Sequence, residues 1–191
     1  AQPANDRGWL MVVPDMRQNT ISPAVRQDVI DAVNWVKDHY SVDEERVYLA
    51  GFSMGGTKAL VMAAQYPSTF AAVVAHRSIG NLSNWYNETT SFRKGWLEAE
   101  MGGKPGDVPF EYQRRSPYSQ VQNLRHIPTA LTHGTEDTVV SVTHSIQLYD
   151  ALVANNASNA YFYSFPGGHT DESAYDSAWT LGFLSQWTLN E

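Results

Sequence analysis

The sequence predicts an α/β fold: a three-layer sandwich in which a mostly parallel sheet of about five recognisable strands carries helices on both faces, within one domain over residues 1–191. Three observations predict it. Short continuous apolar runs recur along the chain, as they do in strands buried on both faces of a parallel sheet. Between them lie stretches with apolar residues at helical spacing. One of the runs, Val47-Tyr48-Leu49-Ala50, turns through Gly51-Phe52-Ser53-Met54-Gly55 straight into such a helix, and a strand–turn–helix is the context in which Gly-X-Ser-X-Gly carries meaning.

Taken in order, Trp9-Leu10-Met11-Val12-Val13, ended by Pro14-Asp15, reads as the first strand. Ser22-Pro23 then supplies an N-cap and a first-turn proline, and Val25, Val29, Ala32, Val33 and Val36 keep helical spacing until Tyr40. After a polar return loop comes strand 47–50 and the serine turn; the helix beyond Ser53 ends at Tyr66-Pro67. Residues 71–75 form the next buried strand, closing at His76-Arg77-Ser78-Ile79-Gly80. The connection from Asn81 to His126 is rich in aromatics and turn residues. A connection this long is functional or carries short helices of its own, and it leaves the carboxyl side of a strand, where α/β ligand crevices lie. Segment 81–126 is therefore expected to be a cap-like insertion over the site. Residues 127–134 read as a strand and its exit turn, 142–154 as a helix, 160–165 as a final strand broken by Pro166-Gly167-Gly168-His169, and 172–188 as a last helix with most of its aromatics on one face.

Composition narrows the possible roles. An apolar fraction of 42% with 17% charged residues is that of a globular protein, and no apolar run approaches the length of about 18 residues that a membrane span requires. A net charge of −7 with 13 scattered Lys and Arg argues against a nucleic-acid footprint, which needs a clustered basic face. Without cysteine there is neither a disulfide nor a thiolate metal site, and the redox compartment stays open. The start, Ala1-Gln2-Pro3-Ala4-Asn5, has no methionine and no apolar signal core, and is expected to be a processed or excised end.

A serine hydroxyl is a poor nucleophile at neutral pH and needs a base, which in turn needs a carboxylate to orient it. In a mostly parallel sheet such groups emerge at the carboxyl ends of strands, where Ser53, Asp137 and His169 stand, in that order. The bland reading of Ser53 is an N-cap on a crossover helix, and Glu136 is the rival acid. His133 is expected to shape its turn; His39, His126 and His144 read as surface or structural residues.

Gly51-Phe52-Ser53-Met54-Gly55-Gly56, His133-Gly134-Thr135-Glu136-Asp137-Thr138-Val139-Val140 and Gly167-Gly168-His169-Thr170 resemble the three catalytic segments of α/β-hydrolases, within which they are most similar to the esterase and prolyl-oligopeptidase-like branch, including feruloyl and acetyl-xylan esterases and polyhydroxybutyrate depolymerase relatives. The resemblance implies a Ser53–His169–Asp137 triad acting through an acyl-serine, with the Met54 backbone N–H in the oxyanion hole and no metal or organic cofactor. His76, Trp85 and Tyr86 are candidates for substrate contact. The partner is then a small-molecule ester, with no nucleic acid and no membrane. In this fold a second oxyanion donor comes from a His-Gly-Gly-type loop, which lies outside these residues together with the early strands and the strand between 9–13 and 47–50. The fold is therefore expected to be N-terminally incomplete, completed by an upstream segment or a partner chain. A carboxylester hydrolase is expected ahead of an oligopeptidase-type serine peptidase, because neither an acidic pair for a peptide amino terminus nor a propeller is recognisable. An inactive hydrolase-fold binding module is the alternative of a different class.

Overall fold

In the computed structural model, which describes residues 2–189, four parallel strands stand in the order β1-β2-β3-β4: Tyr48–Phe52, Ala72–His76, Thr129–Gly134 and Ala160–Phe165. Chain order and spatial order coincide because each strand returns through a crossover and pairs in parallel with its predecessor, Ala50 against Val74, Val74 against Ala130 and Ala130 against Tyr161. The helices are α1 (Gln2–Asn5), α2 (Pro23–His39), α3 (Met54–Gln65), α4 (Leu82–Glu88), α5 (Ser91–Met101), α6 (Pro109–Arg114), α7 (Val121–Leu124), α8 (Thr143–Ala154) and α9 (Ser177–Leu184), with a 3-10 turn at Pro117–Gln120.

Side-chain alternation along the strands sorts the layers. Leu49, Val73, Leu131 and Phe162 point to the face covered by α3, α7 and α8, where they meet Leu60, Leu124, Leu148 and Leu152. Tyr48, Val74, Ala130 and Tyr161 point to the other face, against Trp179, Phe183 and Leu184 of α9. Helix α2 starts as its sequence dictates, with Ser22 Oγ accepting from Val25 N at 3.3 Å and Pro23 in the first turn. Its apolar stripe, Val25, Val29, Ile30 and Val33, packs on Val61, Met62 and Phe70.

The structure departs from expectation in three places. Residues 9–13 are not a strand. Trp9 stacks on Tyr48 with ring centroids 5.1 Å apart, but Leu10, Met11, Val12 and Val13 are exposed and face Ala32, Trp35, Val36 and Tyr40 across an open groove. An apolar run becomes a strand only when a neighbour takes its backbone groups, and among the described residues nothing pairs with the outer edge of β1. The last helix starts at Ser177 instead of 172, because the preceding residues are held in the His169 loop: Asp171 Oδ2 accepts from Gly168 N at 2.8 Å and Ser173 Oγ from Tyr175 N at 3.1 Å. Segment 81–126 does carry short helices, but it divides in two. Its α4–α6 part builds a satellite core of Leu82, Trp85, Leu97, Met101 and Tyr112, whereas Val121 and Leu124 of α7 belong to the main core under the sheet.

Candidate active site

The turn at Ser53 is built by close backbone approach. Ser53 adopts φ 54° and ψ −123°, a region that non-glycine residues rarely occupy and that marks strain at functional turns. A Cβ on Gly51 would stand 2.3 Å from Gly55 O, whereas one on Gly55 would meet nothing within 4 Å; of the two glycines in the pentapeptide, only the first is required by space. Ser53 N donates to His76 O at 2.8 Å, and Thr57 Oγ1, 3.1 Å from Ile79 O and 2.9 Å from Ile79 N, ties α3 to the exit of β2. Ser53 precedes α3 but makes no side-chain capping bond. Its Oγ lies 2.9 Å from His169 Nε2 instead.

His169 comes from the loop after β4, and its loop reaches the acid by another forced contact: a Cβ on Gly134 would lie 2.2 Å from Gly167 O. His169 Nδ1 meets Asp137 Oδ2 at 2.7 Å. Asp137 Oδ1 accepts from the backbone N–H groups of Val139 and Val140, each at 2.9 Å. Burial pushes the Asp137 carboxyl up, but the Val140 and Val139 donors and His169 outweigh it and hold its pKa below the ordinary value. It is therefore a carboxylate able to orient Nδ1–H and stabilise an imidazolium. Glu136, the rival acid, is exposed and gives only its backbone N–H to Gly167 O.

The other candidates lie apart from this relay. His76 presents Nδ1 to Thr132 Oγ1 at 2.7 Å and Nε2 to Thr180 Oγ1 at 3.0 Å, so both ring nitrogens are occupied within the fold. Trp85 is buried in the satellite core and donates from Nε1 to Val139 O at 3.0 Å, tying α4 to the turn that holds Asp137. Tyr86 is half-buried, packs edge-on to Tyr112 and donates to Glu98. Met54 opens α3, where first-turn N–H groups have no intrahelical acceptor, and its side chain packs into the satellite core. His39 and His126 are exposed; His144 is buried, 3.2 Å from Glu88 of α4.

Sequence reading missed Arg77. At φ 48° just past β2, its 6%-exposed side chain is sandwiched between the rings of Phe52 and Phe165, 5.3 and 4.6 Å from their centroids, and donates to Asp171 O. Phe52 in turn packs on the His169 ring at 5.0 Å. Arg77 thus joins the serine turn to the histidine loop. The signal available in sequence was a cation directly after a buried strand.

A parallel sheet that delivers a hydroxyl after β1, a buried carboxylate after β3 and an imidazole after β4, with the imidazole within hydrogen-bond reach of both, is that of a serine-type α/β-hydrolase. Within that class the chain belongs to the prolyl oligopeptidase family, whose sequence model it matches over residues 6–190. The uncharacterized peptidase YtmA of Bacillus subtilis is 32% identical over 127 residues, which are 66% of this chain and 49% of that protein. A puromycin-hydrolyzing peptidase from Mycobacterium tuberculosis superposes with a TM-score of 0.75 at 25% identity, covering 87% of this chain and 26% of that one. Acetylxylan esterase A of Emericella nidulans is 39% identical over 51 residues, only 27% of this chain and 17% of that protein. The chain spans about half the length of YtmA. Most of the long matches carry peptidase names, although the α/β-hydrolase domain-containing protein WAV2 of Arabidopsis thaliana also matches over 86% of this chain, and the esterase match is short.

Proposed function

We propose that this chain is the catalytic part of a serine peptidase of the prolyl oligopeptidase type, cleaving an amide bond through an acyl-serine. The observation that carries the reading is the relay Ser53 Oγ–His169 Nε2 and His169 Nδ1–Asp137 Oδ2, at 2.9 and 2.7 Å. His169 takes the Ser53 proton as Oγ attacks the carbonyl carbon, and Asp137 stabilises the resulting imidazolium. The oxyanion forms beside the Met54 N–H at the start of α3, where a donor and the helix dipole both favour negative charge. His169 then protonates the leaving amine, and water, activated by the same imidazole, releases the acyl group.

The second oxyanion donor is proposed to arrive on a further strand seated along β1, from an upstream segment or a partner chain. Among the described residues no strand pairs with the outer edge of β1, and the apolar residues 10–13 are exposed; both support this. Intact-mass and sizing measurements on an active preparation test it: full activity from a monomer of these 191 residues alone refutes it.

Fluorophosphonate labelling tests the nucleophile. Labelling lost in S53A is expected, whereas a folded chain that never labels returns the reading to a binding module. Amide and ester substrates then separate the classes, since acyl-enzyme chemistry serves both. Turnover of N-acyl or dipeptide amides is expected; cleavage of p-nitrophenyl, feruloyl or acetyl-xylan esters with no amide cleaved would restore the carboxylester reading.

A further inference from the structure

Asp137 is approached by two imidazoles, and the relay uses only one. Its Oδ2 lies 2.7 Å from His169 Nδ1 and 3.2 Å from Nε2 of His133. His133, in β3, is fully buried. Its Nε2 also faces Val140 O at 2.9 Å, and its Nδ1 lies 2.7 Å from Ser145 Oγ in α8. The partners assign the proton. A carbonyl and an ionised carboxylate can only accept, so Nε2 carries the hydrogen, and Nδ1 of a neutral ring accepts from the Ser145 hydroxyl. Burial, which pushes the His133 pKa down, favours that neutral ring. Val140 closes the arrangement: its carbonyl accepts from His133 while its N–H donates to Asp137 Oδ1.

We propose that His133 is a positioning residue for the triad, its Nε2–H shared between Val140 O and Asp137 Oδ2 so that the carboxylate cannot turn away from His169, with Ser145 anchoring the far side. The inference rests on the triad reading above. A residue that only shapes the turn needs the Val140 bond alone; the second acceptor is what couples His133 to the acid. The other charged or titratable groups around this pair are His144 of α8, Arg77 beyond β2 and His169 itself.

The test is the pH dependence of kcat and kcat/KM in the full chain for wild type, H133N, H133Q and S145A. Glutamine carries an amide N–H out to the Nε2 position, whereas asparagine reaches only as far as Nδ1. H133N is expected to lower kcat about tenfold, the effect of one hydrogen bond to a charged group, with KM unchanged. Without that donor the negative charge gathers on Oδ2, so the acid limb of kcat/KM moves to higher pH. H133Q is expected to recover most of both effects, and S145A to show a smaller change in the same direction. A wild-type kcat and pH profile in H133N, or equal losses in H133N and H133Q, overturns the proposal. If H133N does not fold, S145A decides, since it removes one oxygen: an unchanged kcat and acid limb overturn the proposal equally. Fluorophosphonate labelling of the wild type keeps the two readings apart. A wild type that does not label fails the triad itself, whereas a labelled wild type with unresponsive His133 variants fails only this inference.

Discussion

Replacing His76 with glutamine should make the protein less sensitive to mild acid. Burial first, and then the neighbouring Arg77 cation, lower the His76 pKa from the ordinary 6.5 to about 4, with Asp176 opposing. The folded state therefore keeps the ring neutral where the unfolded chain already binds a proton, and stability that is whole above pH 6.5 drains away as pH falls toward 4. At about 1.4 kcal/mol per pKa unit the full effect is about 3 kcal/mol, of which about 2 kcal/mol is lost between pH 7 and pH 5. Glutamine can still serve the two threonine hydroxyls that hold the ring, one through its carbonyl and one through its amide, but it has no proton to take up. Urea unfolding of both proteins at pH 7 and pH 5 reads the difference: wild type should lose about 2 kcal/mol more than H76Q on acidification. Equal losses would refute the reasoning, because they would mean that His76 titrates alike in the folded and unfolded chains.

Asp137→Asn exchanges an acceptor for a donor opposite His169 Nδ1 and favours the wrong tautomer; kcat on an amide or activated ester should fall by roughly four orders of magnitude. Gly51→Ala drives a methyl to 2.3 Å from Gly55 O and should both lower the melting temperature and abolish fluorophosphonate labelling, while Gly55→Ala, whose Cβ meets nothing within 4 Å, should keep its melting temperature. Arg77→Met retains an apolar stem between Phe52 and Phe165 but loses the cation and the bond to Asp171 O; kcat should fall about tenfold, measured beside the labelling rate of Ser53.

The serine turn was legible in sequence because its requirements are local: a backbone too close for any Cβ at Gly51, then a helix start within a few residues. Asp137 and His169 were legible at one remove, once the apolar runs placed both at strand ends. Residues 9–13 misled for the opposite reason. Their composition suits a strand, but pairing depends on a distant neighbour that composition does not contain. Arg77 acts through burial and through a partner far along the chain, Asp171, and sits in no motif; His133 heads the Asp137 segment, but its bond to Ser145 of a later helix shows only in the fold. Trp85 and Tyr86 were visible as aromatics near a strand exit, but which way a ring turns is decided by the satellite core it joins. The triad leaves the choice between ester and amide open, since both pass through the same acyl-serine; the family match supplied the preference.

Among the described residues, the strand that presents Ser53 pairs with one strand alone, β2. Val47 O and Ser53 N bond toward β2, so alternation turns the amides of Ala50 and Phe52 outward, where they should exchange with deuterium far sooner than those of Gly51 and Ser53. A strand with one free side is also the first part of a sheet to open below the global unfolding threshold. Rising denaturant should therefore silence Ser53 before far-UV circular dichroism registers any loss of helix. Occupancy of that edge, as proposed above, would then be a dial on activity: a strand docked along β1 would set how long the serine stays in its reactive geometry, without touching serine, histidine or aspartate.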